Sequence, residues 1–223
     1  MLKIRTRPLQ NPFVLLGSLI LLFLIAASLF IPTWLPNYSS TNLLERNMSP
    51  SLLHLCGTDN LGRDICARVL VGMRISLFIG IIAAIIDISI GVLYGIISAF
   101  LGGKYDEILM RLADIIHAIP SLLLAIFITV IAGNNIGTII IAITVSGWIN
   151  MARIIRGQIL SLKEQDFIAA TICLGASTSR IIFHHLIPNS FGIIVTTATI
   201  TIPIAIFTEA VSYTHLRAHE TRH

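Results

Sequence analysis

The feature that most constrains this chain is a series of five apolar stretches, each near the length that crosses a bilayer: 13–31, about 75–101, about 115–132, about 136–152 and 191–211. A helix needs roughly 20 apolar residues to cross a hydrocarbon core about 30 Å thick, and within lipid only helices or closed barrels satisfy their own backbone hydrogen bonds. None of the five alternates with the period of two that a barrel strand requires. The predicted fold is therefore all-α, a polytopic helical membrane protein with five transmembrane helices. Composition agrees: 55% of the 223 residues are hydrophobic and 12% charged, against about a quarter charged in a soluble domain. The first stretch follows Lys3, Arg5 and Arg7 and closes at Pro32, Trp34 and Pro36. Its apolar run is longer than a signal-peptide core and no small-x-small cleavage site follows at once, so it reads as a retained anchor.

Cytoplasmic loops collect Lys and Arg, which fixes the expected orientation. With the N-terminus (1–12) inside, the inner segments hold nine such residues (Lys3, Arg5, Arg7, Lys104, Arg111, Arg153, Arg156, Lys163, Arg180). The outer segment 32–74 holds four: Arg46, Arg63, Arg68 and Arg74. The net charge of +4 is thus a matter of topology; no basic stripe interleaved with aromatics points to nucleic acid. Cys56, Cys66 and Cys173 show neither a CxxC nor a His/Cys metal pattern, and no metal site is expected. Cys56 and Cys66 fall on one side and could pair, although two free thiols is the preferred reading.

The inner loop, about 154–189, is too polar to span and too patterned to be a linker. Phe167, Ile168, Ala170, Thr171 and Leu174 recur at three-to-four spacing, and Glu164 and Asp166 stand in the first turn, where the helix dipole favours acids. Gly175 is expected to stop this helix, Ser177 or Ser179 to cap a second short one, and Pro188 to mark entry to the fifth span. Two short helices about a glycine hinge make a compact knob on which a partner docks. The alternative is an amphipathic hairpin lying on the membrane surface.

This segment resembles the EAA loop of the permeases of binding-protein-dependent ATP-cassette importers. Ala169, Ala170 and Thr171 stand at its three opening positions, Gly175 at its glycine and Pro188 thirteen residues later. The family's Glu is replaced by Ala169, so a salt link from that position cannot be carried over. Upstream, Gly57-Thr58-Asp59-Asn60-Leu61-Gly62-Arg63-Asp64 resembles the GTDxLGRD signature of the dipeptide, oligopeptide and nickel branch. Read on its own, that octet is a loop of turns and local ion pairs in which Asp59 or Asp64 could cap the following helix. Asp106, Glu107, Arg111, Asp114, the Ile119-Pro120-Ser121 entry and Glu209-Ala210 are similar to the same branch, so the likeness covers about 12–210. It implies a permease core (75–211) whose loop, with Glu164, Asp166, Ala169, Ala170, Thr171, Gly175, Ala176 and Pro188, contacts an ATPase. It further implies a bacterial inner-membrane location, a second permease subunit, two ATP-binding-cassette subunits, an extracytoplasmic solute-binding protein and no cofactor.

Past Val211 the likeness ends. The family normally has six spans, but 212–223 is polar and resembles a translated adaptor read-through, so a non-native tail on a chain truncated after the fifth span is expected. Within the spans, Asp87 lies among isoleucines, where a charge is costly unless it faces protein or water; lining the pathway and an idiosyncratic helix contact are both open. His117 and Pro120 read as an interfacial histidine and a kink, and Thr196, Thr197, Thr199 and Thr201 as a polar stripe facing a pore or neighbouring helices. No GxSxG, HExxH or paired intramembrane carboxylate points to an enzyme. The one Gly-Lys pair, Gly103-Lys104, is followed by Tyr105 rather than completing a phosphate loop, so ATP is bound elsewhere. A secondary transporter or channel is the rival reading, but it has no use for a docking loop before the fifth span.

Overall fold

The apolar stretches do form helices, and most continue beyond the apolar residues that announce them. The computed structural model describes 12–30, 40–133 and 135–220, with side chains through 211. The helices are α1 (Pro12–Phe30), α2 (Ile65–Leu101), α3 (Gly103–His117), α4 (Ser121–Ala132), α5 (Ile136–Lys163), α6 (Asp166–Cys173), α7 (Thr178–Ile181) and α8 (Ile187–Glu220). α1, α2, α5 and the run from Thr178 are long and apolar enough to cross a membrane, and the bent pair α3/α4 brings the number of candidate spans to five. Among the described residues no strand forms. The chain divides into two compact units, 1–76 and 77–223. Lys3, Arg5, Arg7, the Pro32-Trp34-Pro36 closure and the side chains of the expected tail 212–223 lie outside the described residues.

Several helix boundaries differ from the sequence expectation. α2 begins ten residues before 75, because Asp64 caps it. The third stretch is not one helix: α3 and α4 meet at 71°. Pro120 has no N–H to continue α3 and pushes the preceding residue away from helical geometry, while its carbonyl accepts from Leu124 N at 3.1 Å to start α4. The 12 residues of α4 reach only about 18 Å at 1.5 Å per residue, well short of the core alone. α5 runs eleven residues past Ala152, to Lys163. Finally, α7 passes through a π-turn, Ile182–Leu186, directly into α8, so Pro188 sits within continuous helix rather than at an entry. Pro188 cannot donate to His184; the register widens just before it, with Ile187 N donating to Ile182 O, which accommodates the missing bond. Within α8 the backbone stays helical past Val211, to Glu220.

Unit 77–223 is organised by close approach of α2 and α5. Residues 87, 91, 95 and 99 recur every four positions and share one face of α2. A Cβ on Gly91 would lie 2.6 Å from both Trp148 O and Met151 Cβ, and one on Gly95 would lie 2.5 Å from Ala152 O. This is small-xxx-small packing, which lets two backbones approach in lipid. Contacts advance together along both helices, so these portions run parallel. Lys163 closes the far end, its Nζ donating to Ala99 O at 2.9 Å, where a cation suits the C-terminal pole of α2. α3 is stitched alongside: Asp106, 8% exposed, accepts from Arg156 Nε at 2.6 Å and from Ser98 Oγ, and Asp114 accepts from Arg153 at 2.7 Å. The planar guanidinium of Arg156 engages both oxygens of Asp106, the fork geometry that lysine cannot supply.

Candidate functional site

The loop between α5 and the helix entering α8 is a short capped helix with one face anchored. α6 starts at Asp166, with Gln165 before it; Glu164 lies outside it, at the C-terminal end of α5. The expectation that Glu164 shares its first turn is therefore corrected, while Asp166 holds that place. α6 ends as predicted. Gly175 takes φ +77°, a region that costs an L side chain about 1–2 kcal/mol. Its N–H donates to Ile172 O at 2.9 Å and that of Ala176 to Thr171 O at 3.2 Å, the paired bonds of a glycine-terminated helix. Ser177 caps α7, accepting from Arg180 N.

Ile168 holds α6 to the bundle. It is buried with Ile155 and Ile159 of α5, Ile181, Leu186 and Ile194 in one core cluster, and the Phe167 ring lies 6.4 Å from that of His185. Most of the rest of α6 is bare: Ala169 and Ala170 are exposed, as are Ile172, one turn from Ile168, and, at 88%, Leu174 just past the helix end; Phe183 of the π-turn is exposed as well. The knob is thus fixed at Ile168 and presents small and apolar side chains elsewhere. Pro188 is exposed within α8, outside α6.

The octet in unit 1–76 folds around Asp59. Its carboxylate accepts from Leu61 N and Arg63 N, both at 2.9 Å, from Arg63 Nε at 2.9 Å and from Arg68. Gly57 and Gly62 take φ of +75° and +73°, and a side chain on Gly62 would collide with the Asn42 carbonyl. Thr58 Oγ1 accepts from Met48 N at 2.8 Å and donates to Glu45 O, whereas Leu61 is exposed. Of the two aspartates, Asp64 is the cap, accepting from Ala67 N at 2.7 Å. Its other oxygen meets His54 Nδ1 at 2.9 Å, and His54 is 8% exposed. Sequence reasoning misses His54; ten residues from its partner in an irregular loop, it shows no periodic signal.

Desolvation pushes the Asp59 carboxyl upward, but hydrogen bonds from the Arg63 backbone, its guanidinium and Leu61 N–H outweigh it, holding the group well below the usual carboxylate range. A depressed native value gives stability that is full above the unfolded value of about 4 and lost as pH falls toward the native one. Protease resistance of the segment 40–64 is accordingly expected to stay level from pH 7 to about 4 and to fall only in stronger acid. Asp59→Asn should weaken it throughout. Loss of resistance already between pH 6 and 5, tracked by limited proteolysis, would contradict this assignment.

Asp87 is 2% exposed and its Oδ1 has no hydrogen-bond partner among the described residues. It lies where Gly147 of α5 leaves room: a Cβ there would be 2.5 Å from Oδ2. The carboxylate borders a cavity of about 300 Å³ between α2, the α3/α4 bend, α5 and α8, also lined by His117, Pro120, Asn150 and Thr201. An ionised carboxylate at mid-bilayer costs about 3 kcal/mol even on lenient scales. The threonine stripe departs in part from both expectations for it: Thr196, Thr199 and Thr201 donate to carbonyls four residues back in their own helix, and Thr201 also borders this cavity.

Together the bundle, the bent span and the anchored loop define a polytopic helical membrane protein. Residues 91–216 match the family of binding-protein-dependent transport system inner membrane components, and the chain belongs to that family. The match passes Val211, where the likeness read from motifs ends. The chain is 51% identical over 202 residues to the oligopeptide transport system permease protein OppC of Bacillus subtilis, covering 90% of this chain and 66% of that one. It is 44% identical to the dipeptide transport system permease protein DppC of the same organism, over 90% and 63%. It is also 36% identical to OppC of Haemophilus influenzae, over 97% and 71%. The chain thus spans slightly under two thirds of the length of the two Bacillus relatives.

Proposed function

We propose that the chain acts as one permease subunit of an ATP-driven importer of peptides or related small solutes. α6 of the inner loop seats in an ATP-hydrolysing subunit. The observation that carries this is a short capped helix fixed through Ile168 to the ends of α5 and α7 while Ala169, Ala170, Ile172 and Leu174 stand bare. Small side chains let a helix seat closely, and the anchored face transmits its displacement to the spans; a surface-lying hairpin needs no such anchor. Two permease subunits enclose the path, an extracytoplasmic binding protein delivers the solute, and closure of two ATPase subunits rocks the helices between inward and outward access. Arg153, Arg156 and Lys163, at the α6 end of α5, support placing that end and the N-terminus in the cytoplasm, with the Gly57–Asp64 octet on the outer side as a structured entry to α2. The named relatives support peptides as cargo. Joining α6 to its partner tests the proposal: a cross-link from Cys173, exposed on α6, to an ATPase subunit is expected, and a secondary transporter would give none.

A further inference from the structure

We propose that the Asp87 cavity is a binding site for an alkylammonium group. Asp87 Oδ1 is buried and unpartnered among the described residues, and a buried carboxylate calls for a cation or strong donors. Its surroundings mix neutral donors and acceptors and hold no fixed cation among the described residues. Thr201 and Thr208, which line the cavity, spend their hydroxyl protons on Thr197 O and Ile204 O, at 3.1 and 2.9 Å, leaving their lone pairs to the space. Asn150 and Ser146 add an amide and a hydroxyl, and His117 is the other titratable group on the wall. Among the described residues no lysine or arginine lines the cavity. Such a lining repels anions and suits a guest with three N–H donors and one positive charge. Ile143 and Ile204 supply apolar wall for the carbon attached to nitrogen, and about 300 Å³ admits a group the size of an amino acid. The compact bare charge of an ammonium on a short chain fits better than an inorganic cation, which demands a full shell of oxygens.

That the guest is carried by the transported solute rests on the permease reading; the site itself does not. The test uses the purified full chain in detergent, with propylammonium chloride as probe and 1-propanol and KCl as neutral and ionic controls. Propylammonium should raise the unfolding midpoint in a saturable way, as any ligand of the native state does, while neither control does so. Asp87→Asn should weaken the apparent affinity at least about tenfold, since the charge partner is lost. Gly147→Ala, which puts a methyl group against the carboxylate, should weaken it too. Equal responses to propylammonium and KCl in the unmodified chain, or an undiminished response in Asp87→Asn, overturn the proposal. Neither result bears on docking at α6, because no ATPase is present; conversely, binding without a Cys173 cross-link leaves this site standing and removes the permease reading.

Discussion

Gly95→Leu is expected to destabilise the folded bundle severely, seen as a large loss of the monodisperse, protease-resistant chain after extraction. A Cβ at 95 would lie 2.5 Å from the carbonyl oxygen of Ala152 and 3.0 Å from Arg156 N. Both are backbone atoms of α5, so no side-chain rotation relieves the clash; the helices must separate. Overpacking a well-packed interior typically costs about 1–3 kcal/mol, and here separation also pulls Arg156 from Asp106 and Lys163 from Ala99 O. Breaking an ion pair that is largely buried adds about 2 kcal/mol even after allowing for the partial exposure of Arg156. Against a total stability of about 5–15 kcal/mol, that is a large fraction. Gly72→Leu, where an added Cβ meets nothing within 4 Å, is the control and should leave the chain intact. Equal yields for the two variants would show that α2 and α5 are not held as described.

Gly175→Asp should leave the chain inserted and folded but cut solute uptake by as much as about tenfold to thirtyfold. An added side chain here has open space, so the whole effect is local backbone and charge. Left-handed geometry costs about 1 kcal/mol or more for an L residue, and a carboxylate at the C-terminal pole of α6 adds roughly 0.5 kcal/mol. About 1.5–2 kcal/mol in all shifts the equilibrium between intact and opened loop by the stated factor, which sets the upper limit of the loss of uptake. Gly175→Asn, which carries much the same backbone cost without the charge, should recover the electrostatic part, roughly twofold. Uptake and stimulation of ATP hydrolysis by the assembled transporter are the measurements. Unchanged values in Gly175→Asp would mean that the ending of α6 plays no part in coupling.

The residues that punctuate the chain are legible in the sequence. Gly175 and Pro120 each impose one local geometry, a left-handed stop and a break, and each does so in the fold; of the two serines able to cap α7 and the two aspartates able to cap α2, Ser177 and Asp64 take the role. Helix lengths are harder to read. The stretch after Ala152 carries Arg153, Arg156 and Lys163 and so has the polarity of a loop, yet those charges find Asp114, Asp106 and the Ala99 carbonyl across the bundle. That is tertiary information, invisible to hydropathy. The Gly91/Gly95/Ala99 repeat is present in the sequence but hidden by the uniform apolarity around it, because hydropathy registers the length of a span and not its small face. The threonines of α8 are expected to seek partners, and Thr196, Thr199 and Thr201 find them in their own helix, where the carbonyl four residues back lies within reach of each hydroxyl. Asp87 stands out as a misplaced charge, and only packing reveals the glycine opposite and the cavity beside it.

Cysteine cross-linking offers the most direct measurement of whether α6 docks on an ATP-hydrolysing partner. Cys173 lies on α6 and is exposed; replacing Cys56 and Cys66 by serine leaves it as the sole thiol. With the partner ATPase carrying single cysteines along its permease-facing surface, a short bifunctional maleimide should give a chain–ATPase product whose yield changes when ATP is added. A membrane-impermeant maleimide reaching Cys173 only from the extracytoplasmic side, or an assembled complex that gives no product from Cys173 at any partner position, would contradict it.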